Sequence, residues 1–533
     1  MTVRTAVGTD DGGTVSAPVI VVGAGTAGTS FVLEFARNSG LPLTVVEPGA
    51  EAVGSASHRF LDAVRPENLW PDVTVECVRN GPVQAYPQAR ALGGGSAVNG
   101  MLDDPVEIPE AALRAVGTAV LRVAESAGPP VGQVSGALLA LGGRRWAMNR
   151  DDAGRVDRVS ALCAMADAGR VGLVRGEVER VVIEDGRATG VLVDGRFLAA
   201  SKVVMAAGTV GTARILDRSD LPAGLAADVG HGLTDHPAVA FMLHLREPAG
   251  EHDPDSAAFL GVGSARWHRT ERAEYMNARP HPVLTWPPPS HSVISAFERA
   301  SDSEPRLGML MGILFSARSV GRIEFGKSVL LRPNMMSVAE DQVAMIGLLR
   351  EMIKVALCPE IAAIATHVTV DSAGTRVTEI AGLPDDLLLE WAKSHLVPVA
   401  HATGSCRLLV SRRMAPWRGV NGPTERPAAD SRRRAPWQRD LDTMRDLDRQ
   451  LRETARRLVE LQAGWRPSAG RGTGPGFPAM PSAVVGVEGL HIVDGSVLAN
   501  VDGMPNARIA AHAAQQAQFL AAITGRDETG RTA

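Results

Sequence analysis

Pro18-Val-Ile-Val-Val-Gly23-Ala-Gly25-Thr-Ala-Gly28, followed by Leu43-Thr-Val-Val-Glu47, reads as a strand, a glycine turn, a helix and a second strand. Gly23 permits the turn, Gly25 lets backbone approach a pyrophosphate, and Gly28 lets the helix pack against the strand. Thr26 and Ala27 open that helix, where free N–H groups and a partial positive charge favour phosphates. Glu47 ends the second strand, where a carboxylate accepts both hydroxyls of an adenosine ribose and disfavours a 2′-phosphate. Strand before, helix after and acid at the right distance distinguish this from an ordinary βαβ turn.

Working outward, 533 residues exceed one simple core, so two joined domains are expected. A hydrophobic fraction of 45% and a charged fraction of 21% suit a soluble globular enzyme. A net charge of −4 gives no reason to expect nucleic acid. Cys77, Cys163, Cys358 and Cys406 lie far apart with no C-x-x-C. That fits a reducing cytoplasm and excludes zinc-ribbon or iron–sulfur patterns, so no metal is expected. Residues 1–17 are polar, with no apolar core, and are expected to be a disordered leader rather than a signal peptide. No apolar stretch is long enough to span a bilayer.

A second glycine cluster, Arg90-Ala-Leu-Gly93-Gly94-Gly95-Ser96-Ala97-Val98-Asn99-Gly100-Met101, suits backbone laid against a flat ligand rather than an element interior. Residues 107–127 carry helical spacing. Residues 171–205 read as strands, with Asp185-Gly186 and Asp194-Gly195 as hairpin turns. Residues 240–330 alternate strands with Pro-rich loops such as Trp286-Pro-Pro-Pro, and 340–357 and 385–395 read as amphipathic helices. Residues 411–484 form an Arg/Pro-rich insertion carrying one leucine-striped helix. It reads as surface decoration, or as a basic docking element for an anionic partner or membrane surface. A closing strand, the turn Asp494-Gly495-Ser496 and a helix from Asn506 to Thr524 look like the last piece of the first domain.

Together these pieces resemble the glucose–methanol–choline (GMC) oxidoreductases over nearly the whole chain, with their motifs in family order. Arg90 to Met101 matches the first signature, with Gly95 where Ser is usual. Gly208-Thr-Val-Gly-Thr-Ala-Arg-Ile-Leu216 matches the second, with Ala213 and Asp220 departing from it. Val229-Gly-His-Gly-Leu-Thr-Asp-His236-Pro237, His401-Ala-Thr-Gly404-Ser and Asp494-Gly-Ser-Val497 with Pro505-Asn506 follow. The resemblance implies a mixed α/β protein. A discontinuous, Rossmann-like FAD-binding domain with a mixed sheet spans 18–240 and 485–526. A substrate domain, 241–410, carries a large antiparallel sheet backed by helices.

The resemblance also implies an FAD-dependent alcohol dehydrogenase or oxidase acting on CH–OH donors, with hydride passing to flavin N5. His401 would be the general base, a role suited to a side chain whose pKa lies near working pH. Asn506 would hold the substrate oxygen, although it follows the expected position by one residue. Thr26, Ala27 and Glu47 would hold the pyrophosphate and ribose; Val178 would pair with adenine; Ala97, Asn99 and Gly100 would line the isoalloxazine. Arg90, Gly94, Ser96, Met101, Ala207, Gly208 and Asn506 would also bind the cofactor, with Asp494 and Gly495 at the ribityl or phosphate region. Val98 stands near where some relatives carry a tethering His, so the FAD would be non-covalent. His236 reads as a structural hydrogen-bonder and His512 as packing. The segment after Met101, Leu102 to Pro109, departs from the family and suggests an open site.

The donor would be a small alcohol or a reduced redox carrier. The acceptor, oxygen, a quinone or a protein but not NAD, stays open. A similarity to the mycofactocin-associated branch points to a peptide-derived carrier. The cytoplasm is expected, with peripheral contact at the inner membrane face as the alternative. A low-turnover flavin-binding relay protein with a degenerate site is the competing reading.

Overall fold

The computed structural model describes residues 19–52, 63–99, 140–145, 150–151, 154–155, 158–246, 258–262, 281–285, 307–315, 317–410, 482–499 and 504–527. All fall in one unit of the chain, Met1–Arg413 with Ala479–Ala533. The elements that shape the site begin, in chain order, with β1 (Val19–Val22), α1 (Thr26–Asn38), β2 (Leu43–Glu47), α2 (Gly95–Val98) and β3 (Val178–Glu184). They continue with α3 (Gly208–Asp217), β4 (Pro237–Leu245), β5 (Leu307–Ile313), α4 (Ala339–Ala356), α5 (Asp385–His395) and α6 (Pro505–Asp527).

β1 is an unbroken apolar run because both its faces are covered; all four residues are buried. The chain turns at Gly23, whose φ is +100° and where a Cβ would lie 2.6 Å from the Ala206 carbonyl oxygen. A Cβ on Gly28 would run into the Gly23 carbonyl oxygen, so this glycine is what lets α1 sit on the turn. Five strands follow the order Leu490–Ile492, Lys202–Met205, β1, β2, Gly172–Arg175, and every pairing is parallel. This sheet is parallel throughout, and parallel and antiparallel pairings mix instead in the sheet that contains Val73–Glu76 and Val83–Ala85. The antiparallel strands β3, Arg187–Val193 and Arg196–Ala199 form their own three-stranded sheet. Its turns place Asp185, Gly186, Asp194 and Gly195 at positive φ, as two-residue hairpins require.

β1 has β2 on one side and Lys202–Met205 on the other, so the strand order reverses there. A crevice opens at the carboxyl ends of the strands at such a point. Behind it α6 packs on α1, with Ala513, Ala517 and Leu520 in one cluster with Phe31 and Phe35.

The second large sheet has seven strands and is antiparallel throughout its named pairings. β4 and β5 lie at its centre. The two faces of β4 are both apolar but have different destinations. Val239, Phe241 and Leu243 join the core that contains Leu348, Leu349 and Met352 of α4, and Phe241 meets Trp391 of α5 edge-on at 6.2 Å. Ala238, Ala240 and Met242 turn the other way, with Met311 and Ile313 of β5, into a cluster that includes Val98 and Met504. On β5 Gly312 faces α4, and a Cβ there would strike the Met352 sulfur.

Three expectations meet these facts differently. The boundary at 240/241 falls inside β4, which runs on past the site to bury Phe241. The strand Ala140–Arg145, expected in the first domain, hydrogen-bonds to Ala258–Val262 of the antiparallel sheet. A further five-stranded sheet mixes Val73–Glu76 and Val83–Ala85 with His231–Leu233, Gly321–Phe325 and Val329–Arg332, so the expected domains interlace. The leader, the helix at 107–127, the Trp286 loop, the segment 102–109 and the insertion through 481 lie outside the described residues. Among the described residues no helix is long and apolar enough to cross a membrane.

Candidate cofactor and active site

A cavity of about 370 Å³ opens where the parallel strands end, lined by Gly23, Gly25, Thr26 and Ala27 after β1 and by Glu47 at the end of β2. The two glycine clusters interlock. Gly25 bridges Gly93, and a Cβ on Gly94 would lie 2.9 Å from the Gly25 Cα. The triple glycine therefore exists first to let one turn lie on the other. At Gly25, Gly95 and Gly208 an added Cβ would meet no protein atom nearer than 3.6 Å, so bare backbone faces the cavity. A cradle of backbone beside the N-terminus of α1 suits a dianionic pyrophosphate.

Glu47 is buried and accepts hydrogen bonds from the N–H groups of Ala24 (2.8 Å) and Gly49 (2.7 Å). Burial pushes its pKa up, opposed by those two donors. Each oxygen keeps a lone pair for a ribose hydroxyl. Val178 opens β3 on the same wall, beside Glu177. Arg90 and Arg214 both lie over one ring, Trp70, with guanidinium carbons 4.8 and 5.2 Å from its centroid. Arg214 is also paired with Asp72 at 2.8 Å. Trp70 carried no motif signal, and Arg214 lay within the Gly208–Leu216 motif with no role read for it.

Asp494 lines the cavity but works mainly inward. Its carboxylate accepts from the Gly208 N–H (2.9 Å), the Thr212 hydroxyl (2.5 Å) and the Ser496 N–H (2.9 Å). It ties the closing turn to the start of α3, next to Ala207 and Gly208, both cavity-lining. Gly495 then accepts from the Gly404 N–H at 2.9 Å, which joins this turn to the His401 segment. Gly28, Ser96 and Ala97 stand behind the lining, Ser96 donating to the Gly93 carbonyl at 2.7 Å. Asn99 and Val98 face the cavity, while Gly100 and Met101 lie outside the described residues.

His401 lines the cavity and is anchored by a buried carboxylate. Asp235 Oδ1 accepts the N–H of His236 at 2.7 Å and that of His401 at 3.0 Å. Its Oδ2 accepts the Tyr86 hydroxyl at 2.8 Å, and the Tyr86 oxygen accepts the Ala402 N–H at 3.2 Å. Burial raises the Asp235 carboxyl to about 6. The ring nitrogens His236 Nδ1 and His401 Nδ1 are 3.0 Å apart. Enclosure, together with the neighbouring His236, holds the pKa of His401 well below that of a free imidazole, so the ring is neutral. Ala400 reaches φ +59°, a strained value for a residue with a side chain, and delivers His401 to the cavity.

Asn506 also lines the cavity, at the start of α6, but its Oδ1 accepts the Thr26 hydroxyl at 2.6 Å. The structure thus brings Asn506 to the N-terminus of α1. Among the described residues no hydrogen bond joins it to His401, and its engaged oxygen leaves the two amide N–H groups as donors. His512 is buried on α6 away from the lining, and burial pushes its pKa down to about 4.

Residues 149–238 match the family model described as GMC oxidoreductase. No curated protein matches the chain in sequence. Among solved structures, pyridoxine 4-oxidase from Mesorbium loti is 14% identical, covers 95% of this chain and 99% of its own, and has a TM-score of 0.63. A formate oxidase from Aspergillus oryzae RIB40, studied for FAD modification, is 13% identical, with coverages of 97% and 100% and a TM-score of 0.66. A fungal aryl-alcohol oxidase is 14% identical, with coverages of 96% and 99% and a TM-score of 0.61. At these identities the likeness is one of fold.

Proposed function

We propose that this chain, whose residues 149–238 match the GMC oxidoreductase model, is a flavoenzyme that binds FAD non-covalently and oxidises an alcohol with His401 as general base. The observation that carries this reading is that the His401 imidazole lines the same cavity as the glycine cradle. Bound FAD supplies the acceptor for the carbinol hydride at N5. Glu47, Thr26 and the bare glycine backbone hold the cofactor, and the hydrocarbon side chain of Val98 offers no nucleophile to tether it. His401 takes the hydroxyl proton. Its depressed pKa keeps it unprotonated near neutral pH and ready to accept, while making it a weaker base than a free imidazole.

The antiparallel sheet contributes Met311 and Ile313 to the lining, next to Val64, Val399 and Met504. This wall of hydrocarbon and thioether favours a donor with a neutral, apolar body. The similarity to the mycofactocin-associated branch adds a reduced peptide-derived carrier to the candidate donors, with a non-NAD acceptor downstream. The bond from Thr26 to Asn506 favours the second reading, a low-turnover relay protein, because it ties the second expected catalytic residue to the cofactor-side helix α1.

The test is His401→Ala. It should keep the flavin but slow anaerobic flavin reduction by alcohol about 10²–10⁴-fold. Undiminished reduction would remove His401 as the base, and no reduction in either protein would favour the relay reading.

A further inference from the structure

We propose that His236 is the positioning residue that fixes His401 as its Nδ1–H tautomer, leaving the Nε2 lone pair free to take the substrate proton. The inference rests on His401 being the base. Two Nδ1 atoms 3.0 Å apart share one proton: one ring must donate and the other accept. A neutral imidazole carries one N–H, so the direction of this bond decides which His401 nitrogen is basic. If His401 donates, Nε2 is a base. If His236 donates, Nε2 carries hydrogen and can only donate.

The geometry is built for an edge-to-edge bond rather than stacking. The rings are nearly perpendicular, at 86°, with centroids 5.2 Å apart. Asp235 Oδ1 accepts the main-chain N–H of both histidines, so two rings 165 positions apart in sequence hang from one oxygen. Phe315 packs edge-on to His236 at 5.2 Å and limits its rotation. His236 is buried, so solvent does not compete for the bond. When the substrate O–H bond breaks and the proton joins His401 Nε2, the ring becomes cationic. Its Nδ1–H bond to His236 is then charge-assisted and stronger. His236 thus acts through His401, in the step where charge develops.

The test uses FAD-loaded enzyme labelled with ¹⁵N-histidine, with the His401 signals identified by their loss in His401→Ala. The expected signature is a protonated Nδ1 and an unprotonated Nε2. His236→Leu should move His401 towards the Nε2–H form that free imidazole prefers. It should also slow anaerobic flavin reduction on the order of 10²-fold at unchanged FAD content. His236→Asn, whose side-chain carbonyl reaches the place of Nδ1, should recover most of both. A protonated Nε2 in the unsubstituted enzyme would overturn the assigned direction, even if the leucine variant failed to fold. Unchanged signals and rates in His236→Leu would overturn the positioning role. A normal rate in His401→Ala would instead fail the base assignment, which the nitrogen signals report separately.

Discussion

At the scale of single residues, the three glycines of the first turn do different things, and a one-carbon change separates them. A Cβ on Gly28 collides with the backbone of Gly23, whereas one on Gly25 finds no protein atom nearer than 3.6 Å. Gly28→Ala should therefore yield little folded protein. Gly25→Ala should fold with near-normal secondary structure yet bind FAD at least about tenfold more weakly, since a side chain there takes the space for pyrophosphate. Circular dichroism with flavin titration checks the pair, and equal behaviour of the two would contradict the division of labour. These glycines were legible in the sequence because spacing alone carries their meaning. Tyr86 and Trp70 were not. Tyr86 finds Asp235 across 149 positions, a pairing created by tertiary packing and by no local pattern.

At the scale of elements, the hairpins and the long helices were readable, since Asp-Gly turns and helical periodicity are local signals. α4 and α5 lie within a residue of their expected spans. The faces of β4 were not readable. Both are apolar, so alternation that would reveal an inside and an outside is missing. The structure assigns Phe241 to the helix side, fully buried against α5. Phe241→Ala should cost about 3–5 kcal/mol of stability while leaving the flavin spectrum of the surviving folded protein unchanged. Thermal unfolding followed by both ellipticity and flavin fluorescence tests this. A shifted flavin spectrum in the native state would mean the two faces communicate.

At the scale of the whole molecule, chain segments around Tyr86, His401 and Asp494 converge on one cavity, and Asp235 behind them puts a carboxylate in the interior. The order of the motifs made their meeting foreseeable through family resemblance. The interlaced sheets were not foreseeable, because strand pairing across hundreds of residues leaves no local trace. Burial raises Asp235 from 3.8 to about 6. The folded state thus favours the protonated form. Stability from this group is present below pH 3.8 and is lost as pH rises through about 6, by about 3 kcal/mol in all. Asp235→Asn removes the titration, so the variant's melting temperature relative to the unsubstituted protein should rise between pH 4 and pH 7. A constant difference would refute the buried, titrating carboxylate. The account stands most directly on one measurement: anaerobic mixing of the FAD-loaded protein with benzyl alcohol and with its α,α-dideuterated form. The flavin band should bleach, and more slowly with the deuterated donor, because the carbinol C–H bond breaks as flavin is reduced. Flavin that dithionite reduces but that neither this nor any other neutral alcohol bleaches would contradict it.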